Sequence, residues 1–227
     1  MLHTSDHSFV PTKSLGEVSA ILLRPDAAKS LYVFAHGAGA GMRHSFMEAV
    51  SYRLASRRIA TFRFQFPYME VERKVPDPAP VLVDCVRSAV NEASHLVPDI
   101  PLVAGGKSMG GRMTSTAASR GFLPDVLGLA FFGFPLHPPG GTSTERADHL
   151  AHVNLPMLFL QGTRDRLADL KLLTPLLADL KPCPTVHVVH DMDHGFHVAK
   201  RTGRTNEEVL DEVCDGFCHW CDRVVRS

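Results

Sequence analysis

The sequence predicts an α/β protein, a doubly wound and mainly parallel sheet of about seven strands with helices on both faces. Three observations carry this reading. Short β-prone runs alternate with helical stretches of roughly 10 to 20 residues, the signature of βαβ units. Residues 126–132 and 157–160 are almost wholly apolar rather than alternating, as strands covered on both faces must be. The glycine-rich segments follow such runs directly, where right-handed crossovers gather the strand C-terminal ends along one edge.

Taken in order, residues 17–24 have a strand pattern that ends at the turn Pro25-Asp26. Residues 31–35 are a short β-prone run leading into a glycine-rich loop at 36–41. Phe46, Val50 and Leu54 recur with the helical period, and Ile59, Thr61, Phe62 and Phe64 mark a strand. Val81, Val83, Val86 and Val90 lie on another helix. Residues 101–105 read as a buried strand and 109–119 as a helix rich in small residues. After the strands at 126–132 and 157–160 come a helix at 167–180, a strand at 186–189 and a closing helix at 207–225. No linker or repeat divides the chain, so residues 1–227 are expected to form one domain.

Composition limits the function classes. With 24 basic and 24 acidic residues the formal net charge is zero, which gives no reason to expect a nucleic-acid partner. No apolar run approaches the roughly 18 residues that span a bilayer. The N-terminal residues 1–11 are polar and histidine-rich, unlike a signal peptide. The expectation is a cytoplasmic protein that binds no membrane. Five cysteines, an odd number, fit reduced thiols better than a disulfide framework.

The chemistry centres on Gly106-Lys107-Ser108-Met109-Gly110, a G-x-S-x-G motif between an apolar strand and a helix. A serine projected from so tight a turn leaves no room for side chains two positions to either side. The helix start behind it aims N–H groups at developing negative charge. Gly106-Lys107-Ser108 also resembles the end of a phosphate-binding loop. That motif needs a further glycine where this chain has Pro101, so the nucleotide reading fails on spacing.

A serine hydroxyl needs a base to take its proton, and the base needs an orienting acid. Downstream, the strand at 157–160 ends in Gln161-Gly162-Thr163-Arg164-Asp165, which makes Asp165 the candidate acid, with Asp169 the alternative. His194 is the candidate base, in a short loop after the last strand, with His190 second. His187, His190, His194 and His197 lack a usual zinc spacing, and no metal is expected. Upstream, the small residues of 36–41 can present an N–H to an oxyanion. Ala38 is the first choice, Gly39 the second, with the Met109 N–H as partner. That loop lacks the third spaced glycine of a dinucleotide fingerprint, so no cofactor is expected.

With these residues assembled, the chain resembles the α/β-hydrolase superfamily in its small, capless, dienelactone-hydrolase-like form. Residues 36–42, 63–70 (R-F-Q-F-P-Y-M-E), 105–112 (G-G-K-S-M-G-G-R), 161–165 and Asp193-His194 resemble one branch of it. That branch holds predicted bacterial hydrolases, a testis-expressed protein and a chromatin-complex subunit. The resemblance implies a Ser108, Asp165, His194 triad acting on a small ester or related acyl compound through an acyl-enzyme. Dienelactone enzymes carry a cysteine where Ser108 stands, so their substrate does not transfer. Alternatives are a peptidase or thioesterase, or a binding or scaffold protein that keeps the fold.

Gly39, Tyr68 and Phe134 are the candidate substrate-binding residues, from the loop at 36–41 and the segments 66–69 and 133–139. Lys107 and Arg112 are read as salt-bridged to local carboxylates, with binding of an anionic substrate the alternative. Only about twenty residues separate Phe132 from Pro156, where lidded relatives insert a cap. An open site predicts a preference for acyl chains of roughly two to four carbons, because a methylene contributes its ~0.8 kcal/mol only where protein surrounds it. Cys214, Cys218 and Cys221 have one iron–sulfur spacing, but at i, i+4 and i+7 of a helix they read as a core stripe.

Overall fold

The computed structural model describes residues 1–12 and 16–226. Its strands are β1 (Leu2–Phe9), β2 (Val18–Pro25), β3 (Ser30–Ala35), β4 (Ile59–Phe64), β5 (Leu102–Lys107), β6 (Val126–Phe132), β7 (Met157–Gly162) and β8 (Thr185–Val189). The α-helices are α1 (Ser45–Ser56), α2 (Pro67–Glu70), α3 (Ala79–Leu96), α4 (Met109–Ser119), α5 (Leu170–Ala178) and α6 (Asn206–Val224). Among the described residues the strands form one eight-stranded sheet in the order β1-β2-β4-β3-β5-β6-β7-β8. From β4 to β8 every pairing is parallel, and β1 and β2 add an antiparallel edge.

The chain leaves β3 toward β4 on one side and later returns to lay β5 on the other. The loops after β3 and β5 therefore diverge, and the crevice between them is where open α/β sheets bind ligands. Two apolar layers hold the helices to the sheet. Phe62, Phe64, Phe131, Phe134 and Phe159 pack on one face with the apolar stripes of α3 and α4. Tyr32, Phe34, Phe132, Phe217 and Trp220 fill the other with α1 and α6. Cys214, Cys218 and Cys221 are buried in this second layer, as their helical spacing predicts.

The strand count differs by β1, whose side chains are exposed from Leu2 to Asp6, half-buried at His7 and buried only at Phe9. An edge strand with both faces in water needs backbone pairing but no apolar pattern, so sequence periodicity does not reveal it. Its register runs from Leu2 opposite Pro25 to Phe9 opposite Val18. The helix expected from 167 starts later because the Asp169 side chain accepts from the Lys171 N–H and caps α5. Residues of the short connection before β7 form a 3-10 helix, Glu145–His152, packed on α4. Among the described residues no helix is long and apolar enough to cross a membrane.

Candidate active site

Ser108 stands between β5 and α4 with φ 52° and ψ −118°, a conformation that non-glycine residues rarely adopt. The turn that forces it explains its glycines. A Cβ on Gly106 would lie 2.5 Å from the Ala35 carbonyl oxygen, and one on Gly110 would lie 2.4 Å from the same atom. No side chain fits at either place. The strained serine is thus held between β5 and α4 by a turn packed against the end of β3.

The structure brings the three residues named as nucleophile, base and acid together. Ser108 Oγ lies 2.9 Å from His194 Nε2, and His194 Nδ1 lies 2.7 Å from Asp165 Oδ2. Asp165 is buried just past β7 and also accepts from the Leu167 N–H at 2.8 Å. Its remaining support comes from Gln161, which sequence reasoning passed over. The Gln161 side chain donates to Asp165 Oδ2 at 2.5 Å and accepts from the Phe134 N–H at 3.0 Å. Its signal was a polar residue at the buried end of an apolar strand, which demands partners. The alternatives lie elsewhere: Asp169 caps α5, and His190 is exposed against Asp191.

Segment 66–69, expected at a substrate wall, belongs to a run that holds the loop after β3. Arg63 donates to the Met42 carbonyl, the Gln65 side chain accepts from the Met42 N–H, and the Phe66 N–H donates to His36 Nε2. With Nε2 accepting, His36 Nδ1 donates to the Gly37 carbonyl. Burial pushes this histidine down to about 4, which keeps it neutral in the role. Tyr68, placed at a substrate wall by the sequence reading, is fully buried, and its hydroxyl accepts from the Gly39 N–H at 3.0 Å. Gly39 is thereby occupied as a donor. Ala38 is exposed beside it, and its N–H has no partner among the described residues.

Phe134 is likewise core rather than wall, its ring 5.5 Å from those of Phe131 and Phe159. The strand before it is covered on both faces, so an aromatic just past its end packs inward. Gly39 lines a neighbouring depression with Gln65 and Met69, away from Ser108. The pocket that does reach Ser108 and His194, about 590 Å³, is walled by Ala38, Phe46, Met47, Ala49, Phe196 and Leu210. It lies between α1, the loop carrying His194 and the start of α6. Lys107 lines it too. Neither Lys107 nor Arg112 forms a salt bridge among the described residues, contrary to the sequence reading. Burial pushes the Lys107 ammonium down to about 8, against an opposing pull from Asp165 and Asp193.

A family model described as an alpha/beta hydrolase domain matches residues 28–222. Among solved structures, a serine hydrolase without lid from Xanthomonas campestris is similar with a TM-score of 0.76 at 18% identity, over 99% of this chain and 96% of that one. Dienelactone hydrolase from Anabaena variabilis is similar with a TM-score of 0.73 at 18% identity, over 96% of each chain. The esterase domain of a Rhodothermus marinus protein has a TM-score of 0.73 at 16% identity, over 97% of this chain and 98% of that one. At these identities the likeness is one of fold.

Proposed function

Because this chain belongs to the alpha/beta hydrolase family, we propose that it is a serine hydrolase of carboxylic esters or related acyl compounds. The observation that carries the reading is the unbroken hydrogen-bonded series from Ser108 through His194 to Asp165 at 2.9 and 2.7 Å. Ser108 Oγ attacks the acyl carbon while His194 Nε2 takes its proton, and Asp165 holds the imidazole through Nδ1–H. The Ala38 and Met109 N–H groups receive the oxyanion. Collapse expels the alcohol with the proton returned by His194, leaving acyl-Ser108. Water, activated by the same base, then releases the acid and regenerates the serine.

No step calls for a cofactor or metal. The substrate is a small molecule, and the protein acts as one domain in the cytoplasm, where its five cysteines stay reduced. Within the family its place is beside the branch with the testis-expressed and chromatin-complex proteins, on the motifs at 63–70 and 105–112. The test is a screen of activated esters together with fluorophosphonate labelling. Ser108→Ala should fold and lose both turnover and labelling. His194→Ala should lower kcat by several orders of magnitude, and His190→Ala should have little effect. Wild-type turnover by the Ser108 variant would end the proposal, and a severe His190 with a mild His194 effect would reassign the base.

A further inference from the structure

The mechanism above makes no use of Lys107, the residue between Gly106 and Ser108. Its ammonium donates to the main-chain carbonyl of His194 at 2.6 Å. It also stands 5.0 Å from the centre of the Phe196 ring and 5.6 Å from that of Phe46. A Cβ built on Gly133 would lie 3.2 Å from Lys107 Nζ and 3.3 Å from His194 Nδ1, so ammonium and imidazole share one niche closed by a glycine. Holding a charge there without a paired carboxylate is costly. What the charge touches is the segment that carries the base.

That segment needs holding. The Asp193 N–H donates to the His197 carbonyl, and Asp193 Oδ1 accepts from the His197 N–H, closing a tight turn. Inside it Phe196 is held at φ 68°, a left-handed conformation that side chains rarely adopt. The Phe196 ring is fixed against Phe46 at 5.0 Å and Phe132 at 6.0 Å. We infer that Lys107 is a positioning residue: its ammonium, set against the Phe46 and Phe196 rings, anchors the His194 carbonyl and so keeps the imidazole within reach of Ser108. The inference rests on the hydrolase reading proposed above. A charged donor makes a stronger bond to a carbonyl than a neutral one, and only the cation is drawn to the ring faces.

The charged groups around Lys107 are Asp165 from the loop after β7, and Asp193 and His194 from the loop after β8. On the α1 side stands the Phe46 ring, with His44 further along the same pocket, and α6 contributes Glu207 to its lining. Burial outweighs the carboxylates and leaves the ammonium losing its proton at about 8. The anchor therefore weakens as pH rises through that value, and kcat falls with it.

The experiment measures kcat and KM from pH 6 to 10 for p-nitrophenyl acetate and for the anionic mono-p-nitrophenyl succinate. Wild type is compared with Lys107→Met and Lys107→Gln. Lys107→Met should lower kcat at least tenfold on both esters, keep KM within about threefold, lose the alkaline decline and melt no lower than wild type. An unchanged kcat with an unchanged pH profile would overturn the inference. So would a normal kcat with KM raised for the succinate ester alone, which would make Lys107 a counter-ion for substrate. Should the methionine variant fail to fold, the glutamine variant and the wild-type profile decide, and a wild-type kcat flat from pH 7 to 10 counts against the anchor. An independent readout is the downfield proton resonance of His194 Nδ1–H bonded to Asp165. It should be sharp in wild type and broadened or lost in either variant; its persistence there overturns the inference. Failure of wild type to hydrolyse esters or react with a fluorophosphonate overturns the hydrolase reading instead, and the resonance then still judges the anchor.

Discussion

Asp165 shows how a candidate site depends on the buried partners of one side chain. Its two oxygens accept from His194, the Leu167 N–H and the Gln161 side chain. The amide of Gln161 thus gives the buried carboxylate a third donor, and its own oxygen satisfies the Phe134 N–H. Gln161→Leu keeps the volume and removes both bonds. The Phe134 N–H, left without its acceptor, costs ~1–3 kcal/mol. The variant is therefore expected to lose at least that much stability in urea unfolding. It should also lose about tenfold in kcat as the carboxylate drifts from His194. A destabilised variant with full kcat would show that Leu167 alone suffices to hold the carboxylate. Asp165, His194 and Ser108 were legible as residues because each follows a strand in the expected order. Gln161 was not, because a partner is defined by what lies across the strand end rather than by its neighbours in the chain.

At the scale of elements, the segment 63–70 changes meaning between sequence and structure. The sequence places its residues 66–69 at a pocket wall, yet the segment's side chains and backbone clamp the loop after β3 at Met42, His36 and Gly39. The parallel pairing of β3 with β4 puts the two strand ends side by side, so the loop after one braces the loop after the other. Tyr68→Phe tests this with the ring retained. The Gly39 N–H can then turn to water, so stability should change by no more than ~1 kcal/mol. The Ala38 N–H beside it should lose its fixed aim, lowering kcat about three- to tenfold with little change in KM. A raised KM and unchanged kcat would restore Tyr68 to the substrate wall.

For the molecule as a whole, the short link before β7 leaves the sheet edge without a cap, but the site has apolar walls of another origin. Helix α1 and the start of α6, on the face opposite α3 and α4, line the pocket of about 590 Å³ beside Ser108. On this geometry a longer acyl chain than two to four carbons is expected to be preferred. Each enclosed methylene contributes ~0.8 kcal/mol, about fourfold in kcat/KM. The expected profile over p-nitrophenyl esters rises from acetate to about hexanoate, levels off, and falls by palmitate, which outgrows the pocket. A maximum at acetate with steady decline would mean that acyl chains do not enter between Phe46 and Leu210.

Features carried by local spacing are legible in the chain alone. The alternation of strands and helices follows from apolar periodicity, and the elbow follows from glycines two positions either side of Ser108. The order of the candidate nucleophile, acid and base follows from which loop trails which strand. The tertiary structure decided the rest: that β5 lies beside β3 with β4 on its other side, that a polar β1 closes the edge, that Tyr68 and Phe134 face inward, and that Lys107 meets His194 from 87 positions away. The physical reason is that periodicity records only which face of an element is apolar. Which partner covers that face, and which polar atoms are left to satisfy one another across the gap, is settled when the layers pack.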